Sequence, residues 1–145
     1  MRIEESIRLP LPRSAAWAEL VCWEKQASWM KDADRVEVRT EAREGVGVLI
    51  AVKTRLFNIP VFTERLEVVE WEPPGRLVMA HRTFVRGSGE WTLEGEGDFS
   101  CLFRWVEDVR IPPPVLGDIA VAVYRPFMRR LMKGSLLNLA ESLSG

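Results

Sequence analysis

The chain holds a single histidine, His81, and what that residue can do depends on which side chains face it. His81 ends the apolar run that begins at Arg76, just after the turn signal Pro73-Pro74-Gly75. A strand sends alternate side chains to opposite faces. With Arg76 and Arg82 outside, Leu77, Met79, His81 and Thr83 are predicted to point inward and Phe84 outward. In residues 99–110, Arg104 and Asp108 mark the outer face, which turns Phe99, Cys101, Phe103, Trp105 and Glu107 inward. In residues 61–71, Arg65 and Glu67 go out while Phe62, Glu64, Leu66 and Val68 go in, provided no bulge intervenes. Trp91 and Leu93 follow the same parity. An aromatic-rich interior therefore carries one imidazole and two carboxylates. An imidazole beside a carboxylate is the pairing that general acid–base catalysis uses, given a pKa near the working pH. The same pair also serves as packing or as an anchor for a ligand's polar group, because a buried carboxylate without a partner costs several kcal/mol or takes up a proton.

The elements that must position these groups can be read from periodicity. Residues 2–9 alternate, with Ile3, Ile7 and Leu9 on one side and Glu5 falling among them. Pro10 and Pro12 end that strand, and Ala16, Trp17, Leu20 and Trp23 recur at helical spacing. A second short helical turn is predicted over residues 24–30. Strands are then predicted at 35–40, 46–56, 61–71, 76–84, 89–95 and 99–110. Gly45, Asn58-Ile59-Pro60, Pro73-Pro74-Gly75, Gly87-Ser88-Gly89 and Gly95 to Asp98 separate them as turns. Such short connections require antiparallel pairing, since a parallel crossover needs a dozen or more residues. After the segment 111–118, Leu116, Ile119, Ala120, Val123, Phe127, Leu131 and Leu139 form one stripe of a long C-terminal helix, kinked near Pro126. The predicted fold is α+β: a curved antiparallel sheet of about seven strands wrapped around that helix, with two short helices after the first strand, as one domain over residues 1–145. A twisted sheet of this width curls, and one helix laid over its concave face leaves either a solid core or a pocket.

Several stretches resemble the polyketide cyclase/dehydrase and START-related helix-grip superfamily. Residues 11–20 are similar to its opening motif, with Ala16 in the valine place and Trp17 in the tryptophan place. Residues 29–39 resemble the approach to its second strand, Glu44 to Gly47 its third-strand glycines, and Glu70 to Leu77 its acidic-Pro-Pro turn. Residues 105–110 and the C-terminal helix extend the similarity over nearly the whole chain. The family's glycine-threonine pair before the last strand would fall on Ser100 and Cys101, leaving the register of the final hairpin open. The resemblance implies a cavity between sheet and helix. It embraces lipid and sterol carriers, ubiquinone-binding proteins, hormone receptors and aromatic cyclases, so function has to be argued from the site.

The predicted ligand contacts are Phe62, Glu64 and Leu66; Met79 and His81; Trp91, Phe103, Trp105 and Glu107; and, from the helix, Val123 and Phe127. Trp17, Trp23 and Trp71 are read as structural and Trp29 as a residue at the cavity mouth. The leading expectation is a module that binds or carries a small hydrophobic molecule of polyketide, aromatic, lipid or isoprenoid type. A cyclase or dehydrase using His81 and Glu107 for proton transfer is the first alternative. The second is a protein-interaction module with a filled core, a homodimer paired through a sheet edge or the C-terminal helix being one form of it. Twenty Lys and Arg against 21 Asp and Glu, interspersed, provide no basic field for nucleic acid. Basic Arg125, Arg129, Arg130 and Lys133 read as the solvated face of a packed helix rather than a membrane-binding one. Cys22 and Cys101 lack metal or disulfide spacing and are predicted to be buried thiols. No nucleophile, phosphate-loop or cofactor motif is present, so no cofactor or metal is expected. The amino-terminal residues alternate charged and apolar types, and no apolar run is long enough to span a bilayer, which predicts a cytoplasmic protein without stable membrane insertion.

Overall fold

A computed structural model describes residues 1–56, 59–83, 85–110 and 118–144. The predicted Asn58 turn residue, Phe84 and the 111–117 connection with Leu116 lie outside them, as do the side chains of Ile119 and Ala120. Seven strands, β1 (Arg2–Leu9), β2 (Ala33–Val38), β3 (Leu49–Leu56), β4 (Ile59–Glu72), β5 (Arg76–Arg82), β6 (Arg86–Glu96) and β7 (Ser100–Arg110), form one antiparallel sheet in the order β1-β7-β6-β5-β4-β3-β2. Helix α1 (Arg13–Leu20), a 3-10 turn (Trp23–Lys25) and α2 (Gln26–Trp29) follow β1, and α3 (Asp118–Leu143) closes the chain. This is the curled sheet and C-terminal helix that the periodicity predicts.

The hollow is filled unevenly. Trp17 meets Trp71 edge-on at 5.1 Å, and Trp23 packs on Trp71 at 6.3 Å while its Nε1–H donates to the Arg43 carbonyl at 2.8 Å. Trp71 reaches these rings because a bulge between Val68 and Glu70 shifts the β4 register: Val68 pairs with Met79 but Trp71 pairs with Leu77, one step out of the simple alternation. The bulge lies beyond Glu64 and Leu66, whose inward orientation it leaves intact.

Four expectations are corrected here. Residues 87–89 are not a turn: Gly87 pairs with Val109 and Gly89 with Glu107 inside β6. Phe99 does not point inward. It belongs to the tight turn after Gly97 (φ +74°) that closes the last hairpin at Glu96 and Ser100, and it is 85% exposed. Trp29 is buried against Trp91 and Trp105, at 5.8 and 6.3 Å, rather than placed at a mouth. Of the two cysteines, Cys101 is buried, but Cys22 is half-buried, its thiol 3.2 Å from the Ala18 carbonyl.

The face α3 presents is also rotated from the predicted stripe. Met132, Ser135, Leu136 and Leu139 are buried, whereas Val123 is 68% exposed. At 100° per residue, Val123 sits about 160° around the helix from Leu139, and Phe127 about 120°, while Met128 is only about 20° away. An i, i+4 ridge read over sixteen residues walks off the face it started on.

Candidate functional site

A cavity of about 250 Å³ lies between the sheet and the N-terminal half of α3. Eight of the eleven predicted contacts line it: Phe62, Glu64 and Leu66 from β4, Met79 and His81 from β5, Trp91 from β6, and Trp105 and Glu107 from β7. The other three stand apart. Phe103 is fully buried behind Trp91, ring to ring at 5.6 Å. Val123 faces out, and half-buried Phe127 is not among the lining residues; α3 contributes Tyr124, Met128 and Leu131 instead. Trp91 and Trp105, 6.3 Å apart, form an aromatic floor backed by Trp29 and Phe103. Aromatic pairs of this kind contribute about 0.5–1.5 kcal/mol each beyond area burial and hold the floor rigid.

At the polar end His81 sits between two carboxylates. Its Nε2–H donates to Glu107 Oε2 at 2.9 Å, and its Nδ1–H donates to Glu64 Oε1 on the other side. Glu107 Oε1 accepts the Trp105 indole N–H at 2.9 Å. Burial opposes charge on His81, but the hydrogen bonds it donates to Glu107 and Glu64, and the field of those carboxylates, outweigh it and raise its pKa to about 10. His81 is therefore an imidazolium at neutral pH, with both N–H groups engaged. Among the described residues, no group of three or more His, Cys, Asp or Glu side chains is disposed to hold a metal ion.

Among the lining residues that the sequence reading missed, three bear on the chemistry of the site. Gly89 faces Glu107: a Cβ built on it would lie 2.7 Å from Glu107 Oε1. The glycine is the space the carboxylate occupies, and a glycine within an alternating strand is the signal that could have revealed it. Asp32, just before β2, lines the cavity; burial, and next the fields of Glu64 and Glu107 opposing its own backbone hydrogen bond, push its pKa up to about 6. Tyr124 lies opposite, its phenol raised to about 12 by burial and by Asp32, Glu64 and Glu107. Neither stood out because one precedes its strand and the other lies off the predicted stripe.

The segment carrying Asp32 is fixed to α3. The Lys31 N–H donates to Ser135 Oγ at 3.0 Å, and Asn138 Nδ2 lies 3.4 Å from the Trp29 carbonyl. Lys31 crosses α3 at Gly134, where an added Cβ would come within 2.7 Å of it. On the edge strand β1, Glu5, the one polar residue among its inward positions, receives the Arg129 guanidinium of α3 at 2.9 Å.

A curled seven-stranded sheet gripping a helix over an aromatic cavity defines the START-like, helix-grip class. The chain belongs to the family described as polyketide cyclase/dehydrase and lipid transport, whose model matches residues 1–144. Similar solved structures include TTHA0849 from Thermus thermophilus (TM-score 0.81, 18% identity, 99% of this chain and 97% of that one). The Zhui aromatase/cyclase from Streptomyces sp. R1128 (0.74, 13%, 99% and 90%) and a START superfamily protein from Mycobacterium smegmatis (0.72, 12%, 98% and 93%) share the fold. No curated protein matches the sequence. Family and fold support a ligand-binding or cyclase role, and no helix among the described residues is long and apolar enough to cross a membrane.

Proposed function

We propose that this protein binds or carries a small hydrophobic molecule in the cavity beneath α3. The observation that carries the reading is an apolar, aromatic-floored cavity of about 250 Å³ with its polar groups gathered at one end. That volume suits a two- or three-ring body. Binding is favoured over catalysis through His81 by the state of the histidine. A general base needs a free lone pair near the working pH, and His81 is protonated with both nitrogens donating to Glu64 and Glu107. The clamp is suited to fixing two carboxylates in place against a ligand.

The neutral, environment-sensitive dye prodan tests this reading. Its emission is expected to shift to the blue on binding, and Leu66→Trp, which fills the cavity from its wall, is expected to abolish the shift. Phe99→Ala, at an exposed turn, should leave it unchanged. A shift that survives Leu66→Trp and disappears in Phe99→Ala would locate apolar binding on the surface and defeat the reading.

A further inference from the structure

The ionisable groups that face the cavity are unbalanced. Asp32, before β2, Glu64 on β4 and Glu107 on β7 bring three carboxylates; His81 on β5 brings one cation, and Tyr124 on α3 a phenol. Arg55 on β3 also reaches the wall, but its guanidinium is bound to Asp34 at 2.6 Å, a carboxylate that does not line the cavity. His81 serves Glu64 and Glu107 together. Asp32 is left without a counter-charge: among the described residues its carboxylate makes no ion pair, and its one hydrogen bond is to its own backbone. The remaining lining is largely apolar and includes Trp91 and Trp105. A half-buried carboxylate in such surroundings is stabilised by a cation placed next to it, and aromatic rings favour the same charge.

We propose that the molecule held in this cavity is an apolar cation, a protonated amine on an aromatic or alicyclic body, whose ammonium group enters beside Asp32. The inference rests on the cavity being the binding site and adds the chemical class of what it takes. The field of Glu64 and Glu107 that raises the pKa of Asp32 is the field an ammonium would neutralise on entry. An anionic ligand would meet the same field with the wrong sign, so carboxylates and phosphates are rejected.

Three probes with one apolar body separate the outcomes: 2-naphthylmethylammonium, 2-naphthylmethanol and 2-naphthoate, each titrated into the full chain by calorimetry. The amine is expected to bind about tenfold or more tighter than the alcohol, the scale of one partly screened short-range charge contact, with the carboxylate weakest. Asp32→Asn is expected to remove most of the amine's advantage while leaving the alcohol within about twofold. The alcohol or the carboxylate binding as tightly as the amine to the wild-type protein overturns the inference and leaves the container reading standing. If none of the three binds, both fall. The wild-type comparison decides the matter even if Asp32→Asn fails to fold.

Discussion

His81 and Asp32 both make the fold less stable as pH rises, over different ranges of pH. The folded pKa of His81 lies above its ordinary 6.5, so its contribution to stability is present in full below that value and is lost as pH rises through about 10. Asp32 is a carboxyl raised from 3.8 to about 6, so folding disfavours its charged form; that cost is fully present above about 6 and fades as pH falls toward 3.8. Urea melts of two variants check both dependences. Asp32→Asn is expected to stabilise the free protein by ~1–3 kcal/mol near pH 8, the gain vanishing near pH 4. His81→Gln leaves Glu64 and Glu107 without their shared cation, and is expected to cost ~3–5 kcal/mol near pH 7 and less toward pH 10, where wild-type His81 itself loses its proton. An Asp32→Asn variant less stable than wild type near pH 8 would show that Asp32 has a counter-charge after all. A residue whose charge weakens the free fold is one whose charge the bound state can use.

At the level of elements, β6 shows how a strand makes room for a site. Gly89 vacates the volume that the Glu107 carboxylate fills, and that carboxylate is already held by Trp105 and His81. Gly89→Ala is therefore expected to destabilise the protein by ~1–3 kcal/mol, since the carboxylate cannot swing aside without breaking those bonds. Gly95→Ala on the same strand, where an added Cβ meets nothing within 4 Å, should change stability by less than about 0.5 kcal/mol. Equal effects in denaturant melts would deny Gly89 its role. The same strand shows what was legible in the sequence. Two-residue alternation correctly turned Glu64, His81, Trp91, Trp105 and Glu107 toward one another, because strand periodicity survives twist and is reset only by bulges such as the one after Val68. Residues 87–89 were read as a turn because glycine signals both a reversal and a close approach, and only the partner strand distinguishes them. Gly87 has φ +117° and would place a Cβ 2.0 Å from the Asp108 carbonyl oxygen, so it too marks a close approach. On α3 the error had another source: the drift of an i, i+4 ridge, together with inward positions held by Tyr124 and Ser135 rather than by aliphatic residues.

Across the whole molecule the two ends of the hollow have different tasks. One is packed solid by Trp17, Trp23 and Trp71, and the other is left open over Trp91 and Trp105. A filled core, as an interaction module would require, is not what the structure contains. This division of the tryptophans also supplies the most direct test of the central claim, because each indole N–H gives its own nuclear magnetic resonance signal. Titration of 2-naphthylmethanol, followed at the indole signals, is predicted to move those of Trp91 and Trp105 saturably, while Trp17 and the Arg43-bonded Trp23 stay in place. Movement of Trp17 or Trp23 with Trp91 and Trp105 still, or no movement at any indole, would contradict a ligand-holding cavity beneath α3.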